Sequence, residues 1–137
     1  MKYSTDEIID IAIGIEDTGY EFYNACAERF RDDGLKDTFR FLASQELNHK
    51  KIFLDIKQSA ERMTGIFTDE YYLYLKSIGG GRIFKDKTAA VDIMKSIHTA
   101  GDAIKKAFQD EKESILYYSE MKKLYNENTE TFRLIDT

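Results

Sequence analysis

Phe39-Arg40-Phe41-Leu42-Ala43-Ser44-Gln45-Glu46-Leu47-Asn48-His49-Lys50-Lys51-Ile52-Phe53 is the stretch on which the reading of this chain turns. Phe39, Leu42, Glu46, His49 and Phe53 recur at spacings of three and four, so they share one side of a helix. The apolar members predict a face turned to a core, and Glu46 and His49 sit in the middle of it. A carboxylate and an imidazole three apart can reach a single metal ion. Alone such a pair is common; inside an apolar stripe and an internal repeat it carries weight.

The helix built on this stretch is expected over about Leu35 to Met63, with Leu35 and Ile56 extending the same face. Before it, Ser4 and Glu7 have the spacing of a capping box and predict a first helix running to about Asp32. Its apolar side is Ile8, Ile11, Ala12, Ile15, Gly19, Phe22, Tyr23, Cys26 and Phe30. Asp33-Gly34 reads as a turn too short for anything but an antiparallel return. After it, Thr68 is expected to cap a short helix carrying Tyr71, Tyr72, Tyr74 and Leu75, closed by Gly79-Gly80-Gly81. That tyrosine cluster suits either a bundle end or a dimer surface. A short helix near Ala89 to His98 follows. Asp102 then caps a third long helix to about Asn126, with Ile104, Ala107, Phe108, Glu111, Ile115, Tyr118 and Leu124 inward. After Asn126-Glu127-Asn128, Thr131-Phe132-Arg133-Leu134-Ile135 begins a fourth helix. Proline, the strongest helix breaker, is absent, and the expected class is all-α.

A length of 137 residues suits a single domain able to bury a core. Charged residues make up 33% and the net charge is −5, with lysines and arginines scattered, which argues against a nucleic-acid partner. The N-terminus does not read as a secretory leader, and no apolar run nears the roughly 18 residues of a membrane span. The lone cysteine, Cys26, excludes an internal disulfide framework and a Cys-x-x-Cys pair. A cytoplasmic location is expected.

The chain also repeats itself. Ala12-x3-Glu16-x5-Phe22-Tyr23 matches Ala107-x3-Glu111-x5-Tyr117-Tyr118 at an offset of 95, and Thr38-Phe39-Arg40-Phe41-Leu42 matches Thr131-Phe132-Arg133-Leu134-Ile135 at an offset of 93. The order is the same in both halves, as a duplicated helix pair requires. The second offset carries Glu46 and His49 to positions 139 and 142, just past Thr137. The expectation is therefore a fourth helix cut short, with a second Glu-x-x-His beyond it.

Glu16, Glu46 and Glu111 all fall on inward faces at spacings that stack them with apolar neighbours. Burying one unpaired carboxylate costs several kcal/mol, and three together also repel. No lysine or arginine is available on those faces, so a divalent metal is the economical counter-charge. The alternative is that His49 pairs with one glutamate while the others reach solvent, and no metal binds.

Three segments then carry a family likeness: Ile15-Glu16-x2-Gly19-x2-Phe22-Tyr23, Phe39-x2-Leu42-Ala43-x-Gln45-Glu46-x2-His49, and Glu111-Lys112-Glu113-Ser114-Ile115-x-Tyr117-Tyr118. Together they resemble the ferritin-like di-iron carboxylate superfamily, most closely its rubrerythrin-related members. The resemblance implies a four-helix bundle with a long crossover between helices two and three. It also implies Glu16 and Glu111 as metal ligands, Glu46 as a bridging carboxylate and His49 as a terminal nitrogen ligand. The implied cofactor is two iron ions, with manganese or zinc as alternatives. The implied activity lies in peroxide, oxygen or iron handling, as a di-iron oxidoreductase if it is an enzyme. Without the cysteine pairs of a rubredoxin-type domain, electrons would come from a separate donor, and a homo-oligomer, a dimer, is expected. Two other readings stand: a non-catalytic bundle serving as an oligomeric or scaffolding module, and a single-metal site. His98 reads as a surface or capping residue and Cys26 as a small buried hydrophobe. Tyr20, Tyr23 and Tyr118, one or two turns from the implied ligands, read as core packing ahead of the alternative that they hydrogen-bond the ligands or relay electrons, and Gly79-Gly80-Gly81-Arg82 reads as a turn with no phosphate-loop context.

Overall fold

A computed structural model describes residues 5–59, 68–80, 83, 89–125 and 130–135. They form α1 (Thr5–Arg29), α2 (Asp33–Gln58), α3 (Asp69–Gly79), α4 (Ala89–Met94), α5 (Ala100–Lys122) and α6 (Glu130–Ile135), with no strand among the described residues. The class is all-α, and the arrangement is a ferritin-like bundle whose long helices are α1, α2 and α5.

The turn between α1 and α2 falls earlier in the chain than the sequence implies. Asp32, not a later residue, opens α2: its carboxylate accepts the Leu35 backbone N–H at 2.9 Å. Asp33 and Gly34 therefore lie in the first helical turn, and Phe30, Arg31 and Asp32 alone reverse the chain. The Lys36 Nζ donates to the Ala27 carbonyl at 2.7 Å, satisfying one of the carbonyls that the end of α1 leaves open. α2 ends at Gln58, short of the expected Met63, which lies outside the described residues, as do Ser4, Gly81, Arg82 and Asn126-Glu127-Asn128.

Other caps follow the sequence with one correction. Thr68 caps α3, its hydroxyl accepting Tyr71 N–H at 3.1 Å. The cap of α5 is Thr99 rather than Asp102: the Thr99 hydroxyl accepts Asp102 N–H, and the Asp102 carboxylate accepts the N–H groups of Thr99 and His98. Asp102 is the reciprocal half of that capping box. His98 is exposed, its backbone taken up by this cap.

α1 is the central helix. It packs most extensively on α2 and also touches α3, α4 and α5, while α5 packs on α3 and α6. The core divides into two apolar clusters. One gathers Ile8, Ala12, Ile15, Phe53, Leu75, Tyr117 and Met121; the other gathers Phe22, Tyr23, Cys26, Phe39, Ala43, Met94 and Ala103. Burying each large apolar side chain contributes roughly 1.5–3 kcal/mol, so these clusters set the register. The exposed ion pairs Asp10–Lys57 and Asp17–Lys50, both at 2.7 Å, add little. Close packing of α3 on α5 depends on Gly79, where a Cβ would fall 2.5 Å from the Tyr117 ring.

α5 departs most from expectation. Its buried residues are Ala103, Ser114, Tyr117 and Met121, with Leu124 just beyond its end, whereas Ile104, Phe108, Glu111 and Ile115 are exposed. The expected face is right in period and rotated in phase. α5 turns one side to α1 and α3, and of the stripe read as inward Ile104, Phe108 and Ile115 face outward while Glu111 and Tyr118 still reach α1 by hydrogen bonds. The tyrosine cluster of α3 splits similarly: Tyr72 and Leu75 are buried, Leu73 and Tyr74 exposed.

Candidate metal centre

Between the two apolar clusters lies a polar layer. On α1 it falls between Ile15 and Phe22 and contains Glu16; on α2 it falls between Ala43 and Phe53 and contains Glu46 and His49. Glu16 is 2% exposed and Glu46 7%, the two buried acids among the described residues. No basic side chain among the described residues is buried with them. His49 is half-buried beside them, and Glu111 lines the same cavity from α5 while remaining open to solvent.

Ligand atoms of Glu16, Glu46 and His49 all lie within 4.8 Å of one another. Glu111 stands outside that group. The sequence brought four residues together at one depth; the structure gathers three tightly and leaves the fourth at the rim.

Hydrogen bonding accounts for half of the Glu16 carboxylate. Tyr118 OH donates to its Oε1 at 2.5 Å. Oε2 is buried without a hydrogen-bond partner, and His49 Nδ1, at 3.5 Å, stands beyond the roughly 2.7–3.2 Å of an N–H···O bond. An orphaned carboxylate oxygen in a core is costly. Aimed at a second carboxylate and an imidazole, it is what a cation would satisfy.

Glu46 approaches α1 at Gly19. A Cβ there would lie 2.7 Å from Glu46 Oε2 and 2.9 Å from its Cδ, so only glycine leaves room for this carboxylate. Burial pushes the Glu46 carboxyl up to about 11, helped by hydrogen bonding and charge from Glu16 and then Glu111. At neutral pH it therefore holds a proton in the metal-free protein. For Glu16, burial raises the pKa, but His49, Glu46 and Tyr118 together outweigh it and hold the carboxyl below its ordinary value. The Glu16 carboxylate in turn raises the His49 imidazole against the opposing effect of burial. Two buried carboxyl groups and an imidazole thus converge with no buried basic side chain beside them among the described residues, and a divalent cation fits the donor set.

Tyr23 and Tyr118, read from sequence as core packing, both donate to site carboxylates. Tyr23 OH reaches Glu111 Oε1 at 2.9 Å, the counterpart of the Tyr118–Glu16 bond. The signal was in the repeat: each glutamate is followed seven residues later, on the same helical side, by the tyrosine that serves the other glutamate. A cavity of about 290 Å³ opens above Glu16, His49 and Glu111, walled by Ile52, Phe53, Ile115 and by Leu134 and Ile135 of α6. It is large enough for a small oxidant or a few waters.

Residues 7–77 match the family model described as Rubrerythrin, a span that holds Glu16, Glu46 and His49 but not Glu111. No match was found among curated proteins or solved structures.

Proposed function

The chain belongs to the rubrerythrin family, and on that premise we propose that it is a metal-binding protein with a carboxylate-bridged di-iron or iron/manganese centre, acting in peroxide, oxygen or iron handling. The ligands in this reading are Glu16, Glu46, His49 and Glu111, with Glu46 as the bridge because it lies beside both Glu16 and Glu111. The observation that carries it is the buried, partnerless Glu16 Oε2 in a cluster with Glu46 and His49.

When bound, such ions supply redox equivalents and polarise a peroxide or dioxygen. The chain's own groups do the rest. Glu46 would give up its proton on becoming a ligand, and Glu111, exposed to solvent, marks the open side of the site. Tyr118 and Tyr23 hold Glu16 and Glu111 in orientation. The apolar wall of Ile52, Phe53 and Ile115 restricts what enters. Reducing equivalents come from a separate donor in this reading. The protein acts as a homo-oligomer, a dimer, in this reading.

A single-metal site is the second reading, favoured by the exclusion of Glu111 from the tight cluster. Elemental analysis of protein purified without chelator separates the two: two transition-metal ions per chain support the bridged centre, one supports the single site. Protein free of transition metal that also fails to take up Fe(II) would sink both. Glu46→Ala with His49→Ala should remove binding while most helicity by circular dichroism remains.

A further inference from the structure

The cavity above the acid cluster is long as well as large. On α5 its lining runs from Glu111 through Ile115 and Tyr118 to Lys122, one side of the helix over three turns. The 11 residues from Glu111 to Lys122 rise about 16 Å along the axis. At about 30 Å³ per water, the 290 Å³ amounts to about ten waters, several times the bulk of hydrogen peroxide. The chemistry changes along this length. Glu16, His49 and Glu111 crowd one end. α2 and α5 run the same way past the two apolar clusters, so Phe53 on α2 and Ile115 on α5 both lie about a turn beyond that end. Ile52, Leu134 and Ile135 complete the apolar stretch. Water against such a wall lacks hydrogen-bond partners, so an apolar group fills it best.

We propose that this cavity binds a linear aliphatic molecule with a single O–H head group, its tail along Phe53, Ile115, Leu134 and Ile135 and its head at Glu16, His49 and Glu111. The proposal rests on the metal-binding reading above for its reactive end, and it names the class of molecule brought there. An O–H head donates one hydrogen bond and accepts others. Glu16 Oε2 has no partner, and the His49 ring lies beside it. The tail is held because covering the apolar wall removes both surfaces from water. Hydrogen peroxide would meet the polar end alone and leave that wall wet.

Titration of the metal-free full chain with 1-butanol and 1-hexanol, followed by the isoleucine and leucine methyl signals in NMR spectra, tests this. Binding should saturate at one molecule per chain, with the largest shifts at Ile52, Ile115, Leu134 and Ile135. 1-Hexanol should bind about tenfold more tightly than 1-butanol, because each buried methylene contributes roughly threefold to fourfold. Ile115→Trp sets an indole across the channel one turn from Glu111, at an exposed position outside the tight core. It should weaken 1-hexanol by about tenfold or more, as the tail loses its place against the wall. Ile135→Trp, in the short α6, should do the same and decides the matter if the first variant fails to fold. Cobalt(II) uptake by the same chains, read by visible absorption, separates this inference from the reading beneath it. A parent that takes up cobalt(II) but shows no saturable alkanol binding, no gain with chain length, or undiminished binding in both variants overturns the inference and leaves metal binding standing. A parent that takes up neither cobalt(II) nor Fe(II) removes the metal reading and this inference with it.

Discussion

Gly19→Ala places a methyl group where the Glu46 carboxylate rests. In an ordinary helix interior the change stabilises by up to about 1 kcal/mol, because alanine loses less backbone entropy on folding. At Gly19 the new Cβ would meet Glu46 Oε2 at 2.7 Å and Cδ at 2.9 Å, closer than non-bonded atoms tolerate. Glu46 is buried, with Glu16 and Glu111 beside it, so its carboxylate has little room to swing aside. Overpacking of this kind costs about 1–3 kcal/mol, which offsets the helical gain and leaves a net loss of roughly 0–2 kcal/mol. Metal affinity should suffer more than stability, since the displaced group is the proposed bridge: a loss of about 10–100-fold is expected. Gly101→Ala is the control, because its nearest neighbour is Thr99 Oγ1 at an ordinary 3.6 Å; it should stabilise by about 0.4–1 kcal/mol and leave affinity unchanged. Urea unfolding of the metal-free chains gives the first quantity, and competition against a chelating dye gives the second. If Gly19→Ala is as stable as Gly101→Ala and binds as tightly as the parent, Gly19 does not make room for Glu46 and the account of the site is wrong.

Three further outcomes follow from the same geometry. Glu46 has its carboxyl raised from 4.5 to about 11 on folding, so its contribution is full below pH 4.5 and lost as pH rises toward 11. His49, also raised, acts in the same direction. Metal-free parent should therefore lose stability between pH 6 and 10 by a slope that Glu46→Gln reduces, measured by denaturant unfolding across that range; an unchanged slope would mean that Glu46 is ionised throughout. Tyr117→Phe removes the 2.6 Å bond to the Ile8 carbonyl while keeping the ring that fills the core, and should cost about 0.5–1.5 kcal/mol with cobalt affinity unaltered. Thr99→Ala opens the capping box of α5 and should cost about 1 kcal/mol, seen as a lower urea midpoint at constant slope.

The rotated face of α5 shows where sequence reading reaches its limit. Period is local: spacings of three and four fix which residues share a side, and Phe39, Glu46, Phe53 and Ile56 on α2 are buried as that pattern requires. Phase is not local. On α5 two adjacent apolar stripes compete, and Tyr117 and Met121 are buried in place of Ile115 and Phe108 because α1 and α3 lie on that side. The same ambiguity exchanged Tyr117 and Tyr118: the first closes the core and the second serves Glu16. Caps were legible because Thr68 and Thr99 act on N–H groups three residues away; choosing Thr99 over Asp102 required seeing both directions of one reciprocal pair.

The sequence by itself determined an all-helical chain, its internal repeat, and the depth at which Glu16, Glu46, His49 and Glu111 fall along their helices. Those follow from helical geometry and from the cost of burying charge, both written in residue order. Only the tertiary structure decided that Glu16, Glu46 and His49 converge while Glu111 stays at the rim, that Gly19 makes space for a carboxylate, and that each tyrosine serves the opposite helix. Such relations depend on how helices are rotated and spaced against one another. Many weak contacts set that rotation and spacing, and no single stretch of sequence specifies them.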